Sequence, residues 1–144
     1  MPLKVSKTDV WAVEIHDQPG GLAQVMEVLA GAGANLQCVI GRRQADKPGT
    51  GVVFVTPLKG KNVMAVATAA GFEETHRIAT LRVEGADRPG AGAQIARAIA
   101  NAGVSLRGVS AVALGTKFVG FLGFDSWSDA NRAAAALRAL GRKK

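Results

Sequence analysis

The chain has 144 residues, 48% hydrophobic and 20% charged, a balance that excludes an intrinsically disordered protein. It has no apolar run long enough to span a bilayer and no apolar stretch after the lysines of MPLKVSKTDV, so neither a membrane span nor a secretory leader is expected and the expected address is cytoplasmic. The net charge of +7 raises the question of a nucleic-acid partner, but Arg142, Lys143 and Lys144 form a tail, Arg42 and Arg43 share a loop and the rest are scattered, so no basic helix face is expected.

Taken in chain order, VWAVEI (10–15) is apolar and β-branched and predicts a strand. After HDQPG, Leu22, Val25, Met26, Leu29 and Ala30 fall at helical spacing, and Gly31 and Gly33 end the helix. NLQCVIG (35–41) and GVVFVT (51–56) predict strands around the loop RRQADKPG, with the single cysteine, Cys38, read as a small core hydrophobe. KNVMAVATAAG (61–71) predicts a second helix and FEETHRI (72–78) a fourth strand. The second half repeats the order, with a strand at TLRVEG (80–85), a helix over 90–102 stopped by Gly103, and strands at VSLRGVSAV (104–112) and KFVGFLGF (117–124). Its last helix opens at a Ser/Asp cluster with Ser128 as the expected N-cap, and carries Leu137 and Leu140 on its apolar side. Only RKK follows Gly141, so this half lacks a last strand. An unpaired sheet edge would be left, and PLKVS (2–6) is expected to fill it.

The halves are copies. Offset by 70 positions, residues 13–39 overlie 83–109 with 12 of 27 identical, among them Val13, Glu14, Asp17, Pro19, Gly20, Gly33 and Leu36; chance would give about two or three. The expected division is 1–78 and 79–144, each unit near the lower size limit for an independent core. The order βαββαβ is the split-βαβ plan, so the expected class is α+β: two ferredoxin-like units in tandem, antiparallel sheets with their helices on one face. In KFVGFLGF, Phe118, Leu122 and Phe124 alternate with the equally apolar Val119 and Phe121. A sheet wetted on one side should alternate apolar with polar, so both faces are expected to be covered, by the sister unit or by a second chain.

The tetrapeptide D-x-P-G occurs at 17–20, 46–49 and 87–90. The middle copy lies between strands, where Asp, Pro and Gly serve as turn residues. The outer copies each join a strand to a helix, so Pro19 and Pro89 are expected in the first helical turn, with Asp17 and Asp87 accepting from its free N–H groups. Such a loop is either a capped helix start or a seat for an anionic group.

Strand, D-x-P-G, then a helix ending in GANL (33–36) or GVSL (103–106) resembles the ACT domain, a regulatory module of amino-acid metabolism, present twice over nearly the whole chain. The resemblance implies a small amino acid held between paired ACT units. Carried onto this sequence, it implies that Asp17 contacts the ligand, that Gly20, Gly21 and Leu22 offer N–H groups to its carboxylate, and that Asn35 holds it as donor or acceptor. The second copy keeps Asp87 and Gly90 but has Ser105 for Asn35 and Gly92 for Leu22, so it is the weaker candidate and is expected to act chiefly as a partner surface. A homodimer is expected, with an enzyme of amino-acid metabolism or transcription as the regulated partner.

Other functions find less support. KFVGFLGF resembles an RNA-recognition signature, but Val119 stands where an aromatic is needed, leaving Phe121 alone, and TLRVEG has none. A nucleotide-binding G-x-G-x-x-G reading starting at Gly90 fails at Ile95. His16, His76 and Cys38 have no metal-ligand spacing, and His76 in EETHR is read as a surface residue. With no nucleophile or carboxylate pair, no enzyme, cofactor or metal is expected; the alternative to an amino-acid sensor is a protein or nucleic-acid interaction module of the same fold.

Overall fold

A computed structural model describes residues 2–76 and 78–142. The elements are β1 (Leu3–Thr8), β2 (Trp11–His16), α1 (Gly21–Gly31), β3 (Cys38–Arg43), β4 (Thr50–Thr56), α2 (Lys61–Ala69), β5 (Glu73–Glu74), β6 (Ala79–Ala86), α3 (Ala91–Asn101), β7 (Gly108–Leu114), β8 (Lys117–Phe124) and α4 (Trp127–Arg142). They form two antiparallel four-stranded sheets, ordered β3-β4-β2-β5 and β1-β6-β8-β7. The fold is the expected α+β pair of ferredoxin-like units.

One unit is residues 9–75; the other gathers residues 2–8 and the described residues from 76 onward. Residues 2–8 therefore lie with the second repeat. The expected strand at 2–6 forms as β1, which pairs with β6 from Leu3↔Gly85 to Thr8↔Thr80. Its pattern explains the placement: Leu3 and Val5 point into the core of this unit, and Lys7 lies with its ammonium 5.4 Å from the Trp127 ring. Arg138 on α4 donates to the Val5 carbonyl at 3.2 Å. An edge that the last helix leaves open is closed from the other end of the chain.

In the first unit the fourth strand shrinks from the expected 72–78 to β5, paired only with Trp11 and Ala12. Phe72 is fully buried, but no apolar side chain follows it until Ile78, so nothing draws residues 73–76 onto the core. Thr75 is tied through its N–H and Oγ to the Val10 carbonyl at 2.8 and 2.9 Å, His76 is exposed, and Arg77 lies outside the described residues.

The cores confirm that helices cover one sheet face. Trp11, Val13, Val53 and Val55 share a face through the Val13↔Val53 register and pack with Leu29, Val63 and Ala67. Leu81, Val83, Leu122 and Phe124 do the same with Ile95, Ile99, Ala134 and Leu137. Three helices end identically. After α1, Gly33 (φ 86) donates to the Ala30 carbonyl and Ala34 to Leu29; after α3, Gly103 and Val104 donate to Ala100 and Ile99; after α2, Gly71 and Phe72 donate to Thr68 and Ala67. This is the Schellman pattern, which needs a left-handed glycine.

Three local expectations are corrected. The N-cap of α4 is Ser126, not Ser128: its Oγ accepts from the Asp129 N–H at 3.1 Å, and its carbonyl accepts the first helical bond, from Ala130. Trp127, packed against the core, draws the helix start forward. Strands β3 and β7 begin later than expected and run further, so Arg42 and Arg43 lie on a strand and not in a loop, because Gln44 N–H pairs with the Thr50 carbonyl and tightens the hairpin.

Candidate functional site

All three D-x-P-G stretches adopt one conformation. Gly21 N–H donates to the Gln18 carbonyl at 3.1 Å, Ala91 to Arg88 at 3.1 Å and Thr50 to Lys47 at 3.3 Å. Gly20 (φ 87), Gly90 (φ 85) and Gly49 (φ 84) are left-handed. Proline at the second place and left-handed glycine at the third define a type II turn. Pro19 and Pro89 thus precede the helices instead of lying in their first turns; a fixed φ near −65° suits both places, and the hydrogen bond decides between them. The N-caps are Gly20 and Gly90, and no side chain among the described residues caps either helix. Asp17 and Asp87 do not have the capping role expected of them.

The helical ladder of α1 begins with Gln24 N–H donating to the Gly20 carbonyl, and that of α3 with Gln94 donating to Gly90, both at 3.0 Å. The N–H groups of the first turn are left without helical acceptors, a partial positive charge facing outward. Each loop is pinned to the neighbouring hairpin, Asp17 N–H to the Gly49 carbonyl and Asp87 N–H to Thr116, both at 2.9 Å. At Gly21 the close approach is absolute: a Cβ there would run into the His16 carbonyl oxygen, whereas Ala91 takes the same place in the second repeat.

The side chains diverge. Asp17 Oδ2 lies 2.9 Å from Nε of Arg43 on β3. Asp87 has no side-chain partner among the described residues, because Ala113 stands where Arg43 does: Arg43 pairs with Gly51, and Ala113 with Phe118, at matching places in the two hairpins. Leu22, placed by its spacing on the apolar side of α1, is 44% exposed instead. Asn35 and Ser105 are exposed in the segments after α1 and α3, and neither side chain makes a hydrogen bond among the described residues.

In the second unit a cleft of about 420 Å³ opens between the start of α3 and strands β7 and β8. Asp87, Arg88 and Gly90 line one end, and Ile95, Val109 and Phe118 are among the apolar residues of the rest. The structure thus brings Asp87 and Gly90 to one cavity, without Ser105 in its lining. Gly92, which the sequence presents only as a departure from the motif, also lines it, as do Ala96, Ala113 and Gly120, which sequence reasoning passed over. The signal was available as a size difference between the copies, since Leu22, Met26, Arg43 and Val53 hold the matching positions.

Away from the turns, the duplicated glutamates are both ion-paired, Glu14 to the loop between β3 and β4 and Glu84 chiefly within its own strand. Glu14 accepts from Lys47 Nζ at 2.9 and 3.1 Å and from Gln44 Nε2 at 3.0 Å, and these bonds hold its carboxyl below the usual range. Glu84 is likewise lowered, first by its bond from Arg82 at 3.1 Å, with Lys117 at 3.5 Å. Cys38 is half-buried, and burial pushes its thiol up, away from a reactive thiolate. Among the described residues no group of three or more His, Cys, Asp or Glu is arranged to hold a metal, and no helix is long and apolar enough to cross a membrane. On the helix-free face of the second sheet, Phe121 stands opposite Arg82 and Val119 opposite Glu84, an arrangement with one aromatic and an acidic neighbour that is poorly suited to stacking bases.

No protein-family model matches the chain, and no curated protein does. Solved structures do. Protein BT0572 from Bacteroides thetaiotaomicron is similar with a TM-score of 0.79 at 14% identity, over 94% of this chain and 90% of that one. The ligand-free regulatory subunit of aspartate kinase from Thermus thermophilus matches with a TM-score of 0.67 at 15% identity, over 99% and 98% of the two chains. Aspartate kinase from Synechocystis matches with a TM-score of 0.62 at 18% identity over 99% of this chain but 27% of its own. At these identities the likeness is one of fold: this chain has the tandem fold expected of two ACT units, end to end with an aspartate kinase regulatory subunit.

Proposed function

We propose that the protein is a non-catalytic sensor that binds an amino acid at the loop after the first strand of an ACT-like unit and regulates an enzyme of amino-acid metabolism. The observation that carries this reading is the paired type II turn, which delivers an uncapped helix start beside a carboxylate in both repeats. An amino acid is a zwitterion: its carboxylate suits free first-turn N–H groups and its ammonium suits Asp17 or Asp87. Gly20, Gly21, Leu22 and Asn35 in the first repeat, and Gly90 and Ser105 in the second, are the surrounding candidates. The regulatory role follows the similarity to an aspartate kinase regulatory subunit, and a cytoplasmic address goes with it.

A second copy of the chain belongs to the same reading. Strand β7 is an edge strand, and Val109, Val112 and Leu114 on its two faces are 63%, 65% and 80% exposed. An unpaired edge this apolar is an association surface. Pairing β7 with its symmetry mate would bury these side chains beside the Asp87 loop and make a ligand bridge two chains, so that binding shifts the arrangement presented to the enzyme. The test is a thermal-shift screen against the twenty amino acids followed by calorimetry. A selective, saturable shift supports a sensor; no shift with any amino acid removes the reading and leaves an interaction module.

A further inference from the structure

We infer that the second repeat, not the first, carries the working site, and that its ligand is an amino acid with an apolar side chain. The inference rests on the sensor reading above and narrows it to one cavity and one ligand class.

Four differences between the repeats point the same way. The first is space. Gly92 and Ala96 on α3 and Ala113 and Gly120 on the sheet open the cleft of about 420 Å³, where the first repeat has Leu22, Met26, Arg43 and Val53. A volume of this size falls at the small end of ligand pockets, right for one amino acid and small for a nucleotide. The second is the free anion: Asp87 has no side-chain partner among the described residues, whereas Arg43 occupies Asp17 at 2.9 Å. The third is a cation: Arg88, with no ion-pair partner among the described residues, lines the cleft where the first repeat has Gln18, so the loop offers Asp87 to an ammonium and Arg88, with the first-turn N–H groups of α3, to a carboxylate. The fourth is the rest of the lining. Beyond Asp87 and Arg88 it is glycine, alanine and larger apolar residues, including Ile95, Leu106, Val109 and Phe118, with no further charged or hydrogen-bonding side chain. A ligand side chain carrying a hydroxyl, amide or charge would leave that group unpaired there, while an aliphatic or aromatic one would lose only water.

The test compares wild type with Gly92→Leu, which restores the residue of the first repeat. Gly92 has an ordinary backbone conformation and open space around its missing Cβ, so the variant is expected to fold and melt as wild type does. Ala113→Arg is the second variant; it offers Asp87 the partner Asp17 has. Thermal shift and calorimetry are run on the full chain with leucine, isoleucine, valine, methionine and phenylalanine against lysine, threonine, serine, aspartate and glutamine. The expected result is a shift with one or more of the apolar set alone, lost in Gly92→Leu, weakened roughly tenfold or more in Ala113→Arg, and kept in Asp17→Ala. A shift confined to the polar set overturns the inference and leaves the sensor reading standing. An apolar shift that survives both cleft variants, or is lost in Asp17→Ala, moves the site out of this cavity and overturns it too. No shift with any amino acid overturns both.

Discussion

The two D-x-P-G loops share their backbone and differ in nearly everything that backbone presents. Both are type II turns ending in a left-handed glycine, both are pinned to the adjacent hairpin at 2.9 Å, and both release an uncapped helix. One carries Leu22 and an Arg43–Asp17 pair, while the other lines a cleft with an Asp87 that has no side-chain partner among the described residues. Duplication preserved the turn, which backbone geometry enforces, and let the side chains drift. A motif shared by two repeats therefore locates a loop and says little about which loop works.

The largest expected effect tests how each repeat closes its sheet. Removing residues 2–8 strips β6 of a six-residue partner and takes Leu3 and Val5 out of the core. We expect a loss of about 3 kcal/mol in urea unfolding, on the scale of two partly buried aliphatic side chains together with a lost strand pairing, with increased self-association through the bared edge. In the first unit Thr75→Val, which removes only the side-chain bond to Val10, should cost about 1 kcal/mol. Comparable losses from the two changes would mean that β1 is not the structural counterpart of a last strand.

Next in size is an asymmetry at the first helical residue. Gly21→Ala forces a Cβ onto the His16 carbonyl oxygen and should destabilise by about 2–3 kcal/mol. The reciprocal change, Ala91→Gly, should cost about 1 kcal/mol through helix propensity and a lost buried methyl. Equal costs in chemical denaturation would show that the two turns approach their strands alike, contrary to the structure.

These asymmetries also mark what could be read from the sequence. The helices α1 and α3 were legible because helical spacing and a stopping glycine agree, and β1 was legible because a missing strand and a spare apolar segment were both visible. The turn type was not, since proline's fixed φ fits two adjacent places and only a hydrogen bond separates them. The short β5 was hidden because FEETHRI has strand composition at its ends but no inward apolar residue between Phe72 and Ile78. The cleft was least legible of all. It depends on small residues from α3, β7 and β8 meeting in space, and Gly92 taken alone reads as a departure from the motif rather than as room for a ligand.

A gain of function would sharpen the comparison at little cost in stability. Leu22 and Arg43 are both exposed, and the Arg43–Asp17 pair lies at the surface, so removing them together should change stability by no more than about 1 kcal/mol. If side-chain obstruction is what silences the first loop, Leu22→Gly with Arg43→Ala should raise the number of ligand sites per chain measured by calorimetry.

The smallest expected effect separates the two duplicated glutamates. Both carboxyls are held below their usual range, Glu14 first by its hydrogen bond from Lys47 and Glu84 first by that from Arg82. A carboxyl lowered in the folded state adds stability that is fully present above the ordinary glutamate value and is lost as the pH falls through the lowered one. Acidification from neutral pH should therefore weaken the fold through both groups, and Glu14→Gln or Glu84→Gln should each flatten the acid limb of a plot of urea midpoint against pH. The effect of Glu84 should be the larger. Its side chain is 23% exposed against 47% for Glu14, so solvent screens its pairs less, and its partner Arg82 has a buried Nε with no hydrogen bond among the described residues, which leaves that guanidinium more dependent on the carboxylate. Equal flattening by the two variants would mean that the Arg82 bond within β6 is no stronger than the surface pair of Glu14 with Lys47.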